Sequence, residues 1–130
     1  MAEPTQPDSV QLVRADELDE RGSGGASGAM TRATAFGLDT ALWVGTSYTP
    51  ERSRTPVHHH GDQATVVYVA EGECTVVEVR GEDRIEHRGR AGDFLFVPPR
   101  THHFEESAEG TRAVVIRTGN PPIVENLEAS

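Results

Sequence analysis

An all-β fold, a sandwich or barrel of short strands, is what this sequence predicts, and three observations predict it. Short apolar runs recur from Met30 to Arg117, each closed by turn residues. β-Branched residues fill those runs, and no apolar period of 3.6 residues passes through them. The prolines at 98, 99, 121 and 122 fall at the ends of runs, where a missing N–H costs a sheet least.

The chain divides at about residue 30. Met1 to about Ser9 is Pro-rich and polar and reads as a loose terminus. Val10–Arg14, VQLVR, alternates and could form an edge strand; ADELDE after it could form one helical turn. Arg21–Met30, RGSGGASGAM, is rich in Gly and Ser and reads as a linker or long loop. Residues 1–29 are therefore expected to be a flexible arm carrying a strand that could be swapped onto a partner, and residues 30–130 the barrel. Within the barrel, TRATAF is closed by GLD, TALWVGTSY by Pro50, TVVYVA by EGE, CTVVEVR by GED and RIEHR by GRAGD. FLFVPP leads into THHFEE, and TRAVVIR ends before TGNPP. The alternating charge of ECTVVEVRGEDRIEHR predicts a hairpin with one wet face. Trp43, Tyr68, Phe94 and Phe96 are expected to pack the barrel, Cys74 to be a small core residue, and His87 to be a solvated turn residue.

Composition narrows the function classes. A chain of 130 residues fits one domain with a core of its own. Cys74 is the single cysteine, which excludes an intrachain disulfide and a multi-cysteine zinc site and suits a reducing compartment. No apolar run is long enough to span a bilayer, and MAEPTQPDSV lacks the basic start and apolar core of a signal peptide. A cytoplasmic protein with no membrane partner is expected. The net charge of −9 and the lack of a basic stripe argue against a nucleic-acid partner.

The chemistry concentrates in two stretches, TPVHHHGDQATVVYVAEG (Thr55–Gly72) and GDFLFVPPRTHHF (Gly92–Phe104). Residues i and i+2 of an extended segment share a face, so His58 and His60 point one way and His59 the other. Two imidazoles roughly 7 Å apart along one strand can chelate one ion if a third ligand comes from elsewhere. His102 and His103 offer it, again with opposite facing. Glu105 shares parity with His103, which makes it a candidate pocket carboxylate, able to act as a general base or to orient a histidine.

The two stretches resemble the paired motifs of the cupin superfamily, G-x5-H-x-H-x3,4-E-x6-G and G-x5-P-x-G-x2-H-x3-N. His58, His60 and Gly72 fit the first; Gly92, Pro98 and His103 fit the second. Nineteen residues separate Gly72 from Gly92, a spacing usual in that family. The resemblance covers about Thr40 to Arg117 and implies a double-stranded β-helix, a jelly-roll barrel, of the small single-domain bacterial kind. The departures bear on function. Arg52 and Arg100 stand where the motifs have glycine, and Ser107 stands for the final Asn. The carboxylate position falls on Thr65, or on Ala64 with the shorter spacing. The resemblance thus implies a site of His58, His60 and His103, with Gln63 near the vacant position as a carbonyl ligand or an outer hydrogen-bond partner, and with His59 and His102 at the rim.

Such a site implies one divalent ion, Fe(II) first, with Zn, Ni, Mn or Cu as alternatives. It implies a metalloenzyme acting on a small organic molecule, by dioxygenase chemistry first and by isomerisation or cyclisation second. Small cupins of actinomycete type assist aromatic polyketide cyclisation, and the Arg/Ala/Gly-rich composition is compatible with such a host. Two other classes stay open: a small-molecule binding or sensing module without turnover, and a metal-free cupin of the sugar-epimerase kind with a histidine base. Small cupins commonly pair, so a homodimer is expected, with VQLVR added to the partner's sheet edge.

Overall fold

A computed structural model describes residues 11–19, 30–38 and 41–127. One turn of 3-10 helix, Ala15–Glu17, precedes eleven strands: β1 (Thr31–Leu38), β2 (Leu42–Thr49), β3 (Ser53–Arg54), β4 (His58–His59), β5 (Thr65–Glu71), β6 (Glu73–Arg80), β7 (Asp83–Arg90), β8 (Phe94–Val97), β9 (His103–Ser107), β10 (Thr111–Arg117) and β11 (Glu125–Asn126). They form two antiparallel sheets. The first runs β1-β2-β10-β5-β8; the second runs β11-β4-β9-β6-β7, with β3 also on β9. Contacts between Arg117 and His60 and between Arg32 and Glu105 join the inner faces of the two sheets. The result is a jelly-roll barrel.

Strict alternation decides which residues enter it. On β2 the buried positions are Trp43, Gly45, Ser47 and Thr49; on β10 they are Thr111, Ala113, Val115 and Arg117. Val67 and Val69 of β5 and Cys74 of β6 join Ala113 in a small apolar cluster, with Leu95 packed against it. The register Thr65↔Val97, Val67↔Leu95 turns Leu95 and Val97 of β8 inward. Phe94 and Phe96 therefore face outward, 70% and 64% exposed, with Phe94 against Tyr68 at 4.8 Å between ring centroids. The expectation that Phe94 and Phe96 fill the barrel is thus corrected by one residue of parity, while Trp43 is buried.

Two further expectations change. His87 is not a turn residue: it lies within β7, opposite Val76, and its Nε2 is 2.7 Å from Glu78 Oε1. Gln11–Arg14 are in no strand. The N-terminal segment meets the barrel instead through paired backbone hydrogen bonds between Asp19 and Thr34 of β1, at 3.0 and 2.6 Å. Val10 and residues 21–29 of the expected linker lie outside the described residues. No helix among the described residues is long and apolar enough to cross a membrane.

Gly72 makes the β5–β6 turn with φ +85°, and a Cβ there would lie 2.5 Å from Thr111 Oγ1 and 2.7 Å from Thr111 Cα. Gly72→Ala combines left-handed strain with a backbone clash and is expected to cost about 2 kcal/mol or more. An unchanged denaturant midpoint would refute this. Burial, and then the charge of Glu105, pushes the Cys74 thiol up to about 12. The native protein at pH 8 should therefore resist thiol alkylation that proceeds at once after unfolding; fast labelling of the folded chain would contradict the burial.

Candidate metal centre

His58 opens β4 and pairs directly with His103 at the start of β9. His60 follows two residues on, just before Gly61, whose φ of 60° turns the chain. Glu105 lies two residues beyond His103 on the same strand, so both side chains enter the barrel. One donor atom from each of the four residues lies within 4.8 Å of the others, and all four are buried. The ring centroids of the three histidines are 4.4 to 5.1 Å apart. His59 and His102 stack on each other away from this cluster, with centroids 5.5 Å apart.

Backbone carbonyls orient all three rings. Nδ1 of His58 is 2.7 Å from Pro56 O, Nδ1 of His60 is 2.7 Å from Ile123 O, and Nδ1 of His103 is 2.8 Å from Thr101 O. A carbonyl oxygen only accepts, so each Nδ1 carries the hydrogen and each Nε2 presents a lone pair. This is the arrangement of a metal-ligating imidazole held by an outer partner. Nε2 of His58 and of His103 are buried without a hydrogen-bond partner. Buried polar atoms are nearly always paired, so these lone pairs fit an electrophile that the chain does not supply. The four residues could hold a metal ion.

The electrostatics agree. Burial lowers the pKa of His58. Burial, and then the charge of Arg117, lowers that of His60 to about 2. Both rings are neutral at pH 7, the form in which an imidazole can bind a metal ion. Burial alone pushes Glu105 up. The His103 ring, 3.8 Å away and so beyond a hydrogen bond, and the Arg32 guanidinium at 4.0 Å outweigh it and hold the carboxyl well below the usual range. Thr55 fixes the strand beneath: its N–H donates to Glu105 O at 2.9 Å, and its hydroxyl accepts from Glu105 N–H at 3.0 Å.

Gln63 makes two hydrogen bonds to the C-terminal segment, as an outer hydrogen-bond partner would. Its Nε2 donates to Pro121 O at 2.8 Å and its Oε1 accepts from Ile123 N–H at 2.9 Å, so it ties down the carbonyl that orients His60. Thr65 faces the interior, where its hydroxyl accepts from Arg117 Nε at 3.0 Å. Arg117 is wholly buried, and its Nη2 lies 3.4 Å from His60 Nε2. Burial, and then Arg32, pushes it down to about 9, so it remains a cation at pH 7. Sequence reasoning missed Arg117 and Arg32. Arg117 shares parity with Ala113 and Val115, which was a signal, but an arginine ending an apolar run reads as its boundary. Arg32 precedes a register shift between Thr34 and Phe36 that no residue type announces.

The family model for the cupin domain matches residues 46–118, more than half of the chain, and the protein belongs to that family. Its fold is similar to that of the polyketide cyclase RemF from Streptomyces resistomycificus, with 17% identity over 94% of this chain and 88% of that one, and a TM-score of 0.67. It is similar to an RmlC-like cupin from Shewanella frigidimarina NCIMB 400, with 22% identity over 85% of this chain and 91% of that one, and a TM-score of 0.62. It is also similar to the coconut allergen cocosin, with 18% identity over 66% of this chain and a TM-score of 0.59, but spans only 24% of that chain. No curated protein matches it in sequence. At these identities the likeness shows the fold.

His58→Ala, His60→Ala and His103→Ala should each weaken metal retention by at least about tenfold in competition with a chelator, since each removes a ligand whose outer partner alone is worth that much. His59→Ala should leave retention unchanged. Equal loss from His59→Ala would mean that the facing of this segment is reversed.

Proposed function

We propose that the protein is a small metal-dependent cupin enzyme acting on a small organic molecule. His58, His60, His103 and Glu105 would hold one divalent ion, Fe(II) first among Fe, Zn, Ni, Mn and Cu. The observation that carries this reading is the set of three imidazoles whose Nδ1 hydrogens are committed to backbone carbonyls while their Nε2 lone pairs converge beside an ionised carboxylate. Glu105, a candidate base in the sequence, is assigned here to the ligand set. It supplies from β9 the carboxylate missing at Thr65. A bound ion of this kind supplies Lewis acidity or, as Fe(II), electrons for oxygen chemistry.

A cavity of about 210 Å³, with both polar and apolar walls, supports a small substrate. Val76 and Glu78, the β6 partners of Glu105 and His103, form part of its wall; Leu95, Val97 and Pro98 form another. Glu78 and His87 face it as a hydrogen-bonded pair able to hold a proton near the substrate. The likeness to a polyketide cyclase over nearly the whole chain sets isomerisation or cyclisation beside dioxygenase chemistry. A second reading, a binding cupin without turnover, has support in Arg117, which stands against the lone pair of His60 that the ion needs.

Metal analysis of untagged protein is the first test: about one divalent ion per chain is expected, and no ion retained after reconstitution with each of Fe(II), Zn, Ni, Mn and Cu would sink the enzyme reading. Oxygen uptake and substrate isomerisation, each assayed with loaded protein, then separate the two kinds of turnover from binding alone. The homodimer is also proposed, with the exposed Phe94 and Phe96 as a surface it would cover. Light scattering giving a monomer near 14.1 kDa at micromolar concentration would reject it.

A further inference from the structure

Arg117 is buried with its charge unmatched. Its Nε is spent on Thr65 and its Nη2 has only a long contact with His60 Nε2; Nη1 has no partner. Among the described residues it makes no ion pair, while the nearby carboxylate of Glu105 faces Arg32 and the histidines. Trp43 stands 6.0 Å from the guanidinium, too far and too weak to replace a counter-ion. Buried cations persist when paired, and truncating one is costly, so this one needs a reason to be kept.

The reason lies in the lone pair it shares. A metal ion on His60 would take the Nε2 electrons that Arg117 Nη2 now approaches. Nη1 and Nη2 would then both be free along one edge of the guanidinium, beside the ion. That edge matches the two oxygens of a carboxylate. The charge favours the same ligand class: Arg117 makes no ion pair among the described residues, and a dication on His60 would add further positive charge beside it. Thr65, which anchors Arg117 through Nε, pairs with Val97, and Val97 lines the cavity together with Leu95 and Val76.

We propose that Arg117 is the substrate-carboxylate receptor of the site, gripping an organic acid through Nη1 and Nη2 while the apolar remainder of the acid lies along Val76, Leu95 and Val97. The assignment rests on the metal-centre reading above and names the substrate class that reading leaves open.

The test uses the full chain loaded with Co(II), with benzoate as probe and benzamide as its neutral counterpart. Calorimetry gives affinity, the visible Co(II) spectrum reports ligation near the ion, and metal content is measured on the same samples. Wild-type protein is expected to bind benzoate at least about tenfold more tightly than Arg117→Gln, the loss typical of one charge-assisted pair, with benzamide unbound by either. Circular dichroism checks that the variant is folded. Where it is not, Arg117→Lys carries the test, since it keeps the charge and loses the planar pair of donors, and benzoate affinity should again fall. Equal benzoate affinity in wild-type and variant protein that both hold Co(II) overturns the assignment and leaves the metal centre standing. If neither holds Co(II), the metal centre itself fails. Benzoate binding by metal-free wild-type protein, lost in Arg117→Gln, would then still support the receptor, and equal binding or none would overturn it.

Discussion

Three hydrogen bonds from imidazole Nδ1 to backbone carbonyls govern this barrel. Each is an ordinary interaction, with a net worth of about 1 kcal/mol. Their effect is on direction: each fixes a tautomer and aims a lone pair at one point. The carbonyls come from three unrelated places, Pro56 before β4, Thr101 before β9 and Ile123 in the C-terminal segment. Each of those backbones must be held in turn. Gln63 clamps the segment around Ile123, and Thr55 holds the strand of Glu105.

The interior is accordingly a compromise. Its apolar part is built mainly from valines, with Trp43, Cys74 and Ala113. The rest holds Arg32, Arg117, Glu105, the histidines and several hydroxyls. A barrel kept only for stability would place valine or leucine at positions 32 and 117, because burying a cation costs several kcal/mol before its partners return any of it. Retaining two arginines in so small a core trades stability for charge inside the barrel.

The fold was legible because strand periodicity and turn residues are local signals. The alternation of TRAVVIR and TALWVGTSY set out β10 and β2 almost residue for residue, and parity grouped His58 with His60 and Glu105 with His103, while the resemblance to the cupin motifs is what turned the three histidines toward one site. What failed was what local pattern does not carry. FLFV is apolar on both faces, so only its pairing with β5 decides that Phe94 and Phe96 face outward. The carboxylate was sought on β5, where the motif places it, and the folded chain brings one in from β9. Arg100 makes the same point about the backbone: it occupies a φ of 59°, the conformation for which the motif uses glycine, so the turn persists without its usual residue.

The contact between His60 and Ile123 spans sixty-three positions of sequence. β4 and β9 pair through residues that lie outside the C-terminal segment, but His60 has no carbonyl to orient it until Ile123 is in place, and β11 closes on β4 only through Glu125 and Asn126. A barrel with this segment detached therefore has two aimed imidazoles and one free to rotate. The completeness of the site thus depends on a stretch of chain that contributes none of its converging side chains.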